Sequence, residues 1–279
     1  MWDWLLAPLQ FPFMVRAILV AGVVGAVCAL LSCYLILKGW ALMGDAVSHS
    51  VLPGVVLAYA LNIPYGIGAF VFGVGAVLLI GFIQQQTRIK EDTAIGLVFT
   101  GFFALGLVLI SKVPTSVDLA HILFGNPLGI PDSELWQTLI ASGITATVIL
   151  LLHRDLLLFC FDPVHVQGIG LNVNFLYYLL LVLLSLTIVA ALQTVGVILV
   201  IAMLITPGAT AYLWCDRFLQ MMLVSVGLGV GASLGGTYLS YYLDASTGGC
   251  IVLLQTIIFL LSLVIAPKHG LLSYHRTEN

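Results

Sequence analysis

Runs of about 20 consecutive apolar residues recur along this chain from one end to the other, and few folds accommodate such runs. A bilayer core of about 30 Å is crossed by about 20 helical residues. Lipid offers no partner to a free backbone N–H or C=O, so only helices and closed barrels can cross it. The runs here are continuous rather than alternating, which reads as helices and not as barrel strands. Only 8% of the 279 residues are charged and 61% are hydrophobic, whereas a soluble domain carries about 25% charged residues. The expected fold class is therefore all-α, a polytopic transmembrane helical bundle forming one domain over 1–279.

Nine apolar segments lie near 14–37, 41–61, 66–84, 94–111, 135–152, 174–192, 194–214, 219–242 and 249–266. The sixth and seventh are separated only by TVG, so one of the two is expected to be short, broken or re-entrant. The expectation is about 8–10 helices, with boundaries soft by about 2–4 residues.

Orientation follows from positive charge, which favours the cytoplasmic side. With the N-terminus outside and the C-terminus cytoplasmic, Lys38, Arg88, Lys90, Arg154, Arg217, Lys268 and Arg276 fall inside, leaving Arg16 and Lys112 outside. The same threading brings Asp3, Asp118, Asp132, Glu134 and Asp244 to the outer face. An acidic mouth would attract a cation, though solvated loop carboxylates give the same pattern. A net charge of −3 without basic blocks argues against a nucleic-acid partner. The five cysteines show no C-x-x-C spacing and sit in or beside apolar runs, so neither disulfides nor a thiolate site is expected. The N-terminal MWDWLLAPLQFPF has no basic n-region or small-residue cleavage site, so the chain is expected to remain intact from Met1.

The second segment is unusual among the nine. Within WALMGDAVSHSVLPGVVLAYAL it places Asp45 and His49 at membrane depth, where an ionisable side chain costs roughly 2.5–3.5 kcal/mol and marks function by default. Four residues apart, the two share one helix face. Pro53 has no N–H for the carbonyl of His49, which is thereby freed. Carboxylate, imidazole and carbonyl together suit a divalent transition metal: manganese, iron or zinc. The alternative is that Asp45 only bonds His49 or a serine to join two helices. Asp244 in YYLDASTGG either lines the mouth or caps the next helix. Pro207 frees the Met203 carbonyl and is expected to kink or break its helix, and a half-helix lining a pore is a further possibility. Gly227, Gly231 and Gly235 recur every fourth residue and are expected to let two helix backbones approach closely.

Between segments five and six, FDPVHVQGIG reads as a short surface helix, with Asp162 as N-cap and Pro163 at the first helical position. His165 lies within it, and Gly168 and Gly170 end it. It is either a connector or a knob that docks into a partner. There is no G-x-x-x-x-G-K-[ST] phosphate loop, no H-E-x-x-H and no G-x-S-x-G elbow, which removes the commonest grounds for an ATPase, an intramembrane protease or a hydrolase. The chain is expected not to be an enzyme.

With these residues in place, the sequence resembles the membrane permeases of bacterial ABC importers for manganese, zinc and iron, and most of all the manganese and iron branch. The resemblance runs from FPFMVRAILV to LVIAPKHGLL. Its strongest pieces are LKGWALMGDAVSHSVLPGVVLAYAL, RIKEDTAIGLVFTGFFALGLVL, DLAHILFGNPLG, RDLLLFCFDPVHVQGIGL and TVGVILVIAMLITPGATA. It implies a dimeric membrane core in the bacterial plasma membrane, a cytoplasmic ATP-binding subunit that supplies ATP hydrolysis, and an extracytoplasmic metal-binding protein. It carries Asp45 and His49 over as pathway ligands and makes 160–171 the coupling helix. No cofactor of the chain's own is implied. The rival reading is a proton-coupled secondary transporter in which Asp45 and His49 relay protons.

Overall fold

The computed structural model describes residues 7–112 and 129–266. Asp3, Asp118, Lys268 and Arg276, which bear on the charge argument above, lie outside the described residues. All regular elements among the described residues are helical. After a 3-10 turn at Ala7–Gln10 come α1 (Pro12–Lys38), α2 (Met43–Ser50), α3 (Leu52–Ala60), α4 (Tyr65–Gln86), α5 (Glu91–Lys112), α6 (Asp132–Leu151), α7 (His153–Phe161), α8 (Pro163–Gly168), α9 (Val173–Val195), α10 (Val197–Trp214), α11 (Phe218–Leu243) and α12 (Thr247–Ile265).

Eight of these, α1, α4, α5, α6 and α9 to α12, are long and apolar enough to cross a membrane. The pair α2 and α3 together runs 43–60, about 27 Å at 1.5 Å per residue, the length of one more crossing in two pieces. The break falls at Val51, two residues before Pro53, as expected of a residue that cannot join the preceding helical hydrogen bonds.

Helix α1 is the spine. Cys28, Leu31, Cys33, Tyr34 and Leu35 on it are fully buried, and it packs along α10 and α11. It ends in a left-handed turn at Gly39 (φ 74°), where the N–H of Gly39 bonds the Ile36 carbonyl and that of Trp40 bonds the Leu35 carbonyl. This paired closure satisfies two of the last carbonyls and turns the chain directly into α2. On the other flank, α9 packs against α4 and α6.

Three expectations are corrected here. The sixth and seventh segments are both unbroken, and a single residue, Gly196 (φ 83°), turns the chain between them. It is the second segment that is broken instead. Pro207 lies inside α10, which continues through it, so the expected break does not occur. Beside the proline the Ser32 hydroxyl of α1 accepts the Gly208 N–H at 3.0 Å and donates to the Ile205 carbonyl at 3.1 Å, so a neighbouring helix adds hydrogen bonds to the backbone on either side of it. Finally, the close-packing glycines are not those of the stripe. Gly227 and Gly231 face open space. The backbones meet at Gly229, where an added methyl would sit 2.6 Å from the Gly25 carbonyl oxygen, and at Gly236 against Ile251. Gly227 and Gly231 thus lie on the outward side of α11, Gly235 meets the Leu254 side chain of α12, and the inward side is Gly229, Ala232, Ser233 and Gly236.

Candidate metal-handling site

Asp45 stands in the first turn of α2, where exposed backbone N–H groups favour a carboxylate. His49 follows one turn later. Its Nε2 lies 3.4 Å from Asp45 Oδ1, which joins the pair without a short hydrogen bond. Ser48 and Ser50, flanking His49, turn their hydroxyls back onto the Gly44 and Ala46 carbonyls at 2.8 and 2.7 Å, so they do not compete for either side chain. The carbonyl of His49, released by Pro53, receives the N–H of Val51 at the break. A carbonyl oxygen has two lone pairs, so this contact leaves it able to accept a further partner.

Helix α5 supplies what the sequence reading missed. The rings of Phe99 and Phe103 lie 5.4 and 5.5 Å from that of His49, the latter edge-on at 79°. The signal was present in VFTGFF as two phenylalanines four apart, one helical turn, though apolar spacing of that kind is common in any membrane helix. These contacts also fix depth. Phe99 and Phe103 stand about 12 and 18 Å from the Glu91 end of α5 at 1.5 Å per residue, so His49 is near the middle of the bilayer.

The pair is nevertheless not enclosed. The side chains of Asp45 and His49 are 42% and 24% exposed on the single chain. A half-exposed carboxylate at that depth is incompatible with lipid contact and requires an aqueous passage or another protein surface. Among the described residues no group of three or more His, Cys, Asp or Glu side chains gathers. Among the described residues the chain thus brings together one carboxylate and one imidazole here.

The other residues singled out from sequence stand apart from this pair. Asp244 is exposed and ends α11 in a left-handed conformation (φ 49°, ψ 44°), which aspartate tolerates better than most residues. The cap of α12 is Ser246, whose hydroxyl accepts the Gly249 N–H at 3.5 Å, so the expected capping role falls two residues later. Arg16 and Asp132, at the outer end by the charge argument, form a 2.7 Å ion pair. At the opposite end Asp162 caps α8, its Oδ1 accepting the N–H of His165 at 3.0 Å, with Pro163 first in the helix. The helix ends at Gly168, and Gly170 follows with φ 84°. Val166 is fully buried and pins α8 to the bundle, while Val164 and Ile169 are 78% and 54% exposed.

A broken helix carrying an acid and an imidazole to mid-membrane within a multi-pass bundle defines a membrane transport protein. The family profile described as ABC 3 transport family matches residues 10–266. The chain is 60% identical over 272 residues to the manganese transport system membrane protein MntB of Synechocystis sp., covering 98% of this chain and 89% of that one. It is 55% identical over 257 residues to the chelated iron transport system membrane protein YfeD of Yersinia pestis, covering 92% and 86%. Among solved structures it matches PsaBC from Streptococcus pneumoniae, seen in complex with Fab, over the whole of both chains, with a TM-score of 0.87 and 42% identity. An inward-facing metal-chelate type ABC transporter shares the fold at 19% identity, with a TM-score of 0.71. The chain belongs to the ABC 3 transport family: it is a multi-pass permease and not the ATPase of its system.

Proposed function

We propose that this chain is the permease of an ATP-driven importer that moves a divalent transition metal ion, manganese first and iron or zinc next, across the bacterial plasma membrane by alternating access. The observation that carries this reading is the half-exposed Asp45 and His49 pair at mid-membrane. Two donors per chain become four when two copies face each other, enough to strip and hold a divalent ion while keeping coordination weak enough for release. The mixed carboxylate and imidazole set, without thiolate, suits manganese and iron, and the two relatives described above are named for manganese and for chelated iron. The exposed apolar side chains of Val164 on α8 and Ile169 just after it suit a surface that seats in a cytoplasmic ATP-binding subunit. The acidic outer end suits an extracytoplasmic binding protein that delivers the ion, with the N-terminus outside.

Uptake by the reconstituted complex, comparing wild type with Asp45→Asn and His49→Ala for each metal, tests the assignment. Uptake is expected to fall by about two orders of magnitude, with the ATPase still bound. Unchanged uptake in both variants removes the site. Collapse of wild-type uptake with the proton gradient, in the absence of ATP, would move the function to a proton-coupled carrier.

A further inference from the structure

We propose that Lys38, Trp40, Gln84, Glu91, Phe159 and Tyr177 form a coupling cluster. It carries displacement of α8 to the two helices that hold and cover the Asp45 and His49 pair. The inference rests on the reading of α8 as the ATPase-docking element and names the residues through which that element would act.

The cluster joins five parts of the chain at the α8 end of the bundle. Phe159, 2% exposed, stands on α7 four residues before Pro163 opens α8. The Lys38 ammonium, at the end of α1, lies 3.8 Å from the centre of its ring. Tyr177, in the first turns of α9, meets Phe159 edge-on at 6.4 Å and Trp40 edge-on at 5.3 Å. The Tyr177 hydroxyl donates to Gln84 Oε1 at 2.7 Å. Glu91, the first residue of α5, has its carboxylate beside the Gln84 amide, the Trp40 indole and the Lys38 ammonium.

Trp40 stands three residues before α2, which bears Asp45 and His49, and its carbonyl accepts the N–H of Met43, the first residue of α2, at 3.0 Å. Glu91 begins α5, which bears Phe99 and Phe103. A single cluster therefore seats the starts of both helices that make the metal-handling site, and the same cluster touches the helix leading into α8. Passive packing would not need this chemistry. A lysine and a glutamate half-buried among aromatic rings are costly, and apolar residues of similar size would fill the space as well. One polar contact is also marginal: Gln84 Nε2 is buried beside the Glu91 carboxylate but short of full hydrogen-bond geometry. A small displacement of Glu91 would tighten or break that contact, which gives the cluster two arrangements of different energy for α8 to choose between.

The test uses the full complex in proteoliposomes and reads metal imported per ATP hydrolysed. Glu91→Gln and Phe159→Leu are expected to leave ATP hydrolysis within about twofold of wild type while lowering the ratio by about tenfold or more. The double variant should be no worse than the more impaired single, because both act on one path. Tyr177→Phe removes only a hydroxyl and guards against a folding defect in the larger changes. It should lower the ratio by a smaller factor. An unchanged ratio in all variants, additive losses in the double variant, or hydrolysis and transport falling in parallel would each overturn the proposal. A Val164→Glu arm separates the underlying reading: if the ATPase still co-purifies with that variant, α8 is not the docking element, whatever the cluster does.

Discussion

The ring of Phe103 meets that of His49 edge-on, with centroids 5.5 Å apart and planes at 79°, so the imidazole is held by a helix other than its own. Its orientation toward Asp45 depends on α5, and a shift of α5 would turn it away. An edge-to-face aromatic pair contributes about 0.5–1.5 kcal/mol. Phe103→Ala should therefore weaken metal binding by about 2–10-fold while leaving expression intact, as measured by isothermal titration on the purified complex. Unaltered affinity would show that His49 needs no support from α5.

Ser32 adds hydrogen bonds on either side of Pro207, accepting from Gly208 and donating to Ile205. Ser32→Ala leaves a buried donor and acceptor unpaired, at about 1–3 kcal/mol. The melting temperature in detergent should fall by several degrees, and Ser32→Thr should recover part of the loss. Equal melting temperatures for Ala and wild type would mean that α10 tolerates Pro207 unaided.

Gly54 on α3 and Gly68 on α4 touch backbone to backbone, and a methyl at either would collide with the other's carbonyl. Gly54→Ala should cost at least about 1–3 kcal/mol by overpacking and should reduce the folded yield. Gly75, on the same α4, has open space around it. Gly75→Ala should be neutral or stabilising by up to about 1 kcal/mol. Size-exclusion profiles of the two variants make the comparison, and similar behaviour of both would refute the crossing.

Cys160 lies on α7, where burial pushes its thiol up to about 12 and the nearby Lys38 ammonium pulls only partly against this. Because the thiolate is the reactive form, about one molecule in ten thousand is primed at pH 8. Maleimide should label Cys160 slowly in the folded protein and rapidly after denaturation, as followed by mass spectrometry. Fast labelling of the native protein would place the thiol in water.

Much of this architecture is legible in the sequence because the bilayer reduces the choices. Long apolar runs can only be spanning helices, and Asp45 and His49 stand out because charge is rare there. The cap at Asp162 was equally plain, since a proline following an aspartate has one strong local reading. What escaped were contacts between segments distant in the chain. The bonding of Ser32 to α10, the cover of His49 by Phe99 and Phe103, and the true close-packing face of α11 depend on which helices are neighbours. Period alone pointed to Gly227, Gly231 and Gly235, because small residues serve outward faces as readily as inward ones. Asp244 was misjudged for a local reason: SerThrGly offers its own cap, and Ser246 takes it.

The turn at Gly196 has a mechanical consequence. With a single residue joining α9 to α10, the adjoining ends of those helices are tethered within a few ångströms, as successive Cα atoms are about 3.8 Å apart. They can spread only at their far ends, next to Val173 and Trp214, and Val173 lies just after α8. Any swing of these two rods would therefore pivot on Gly196, smallest there and largest at the end where α8 lies.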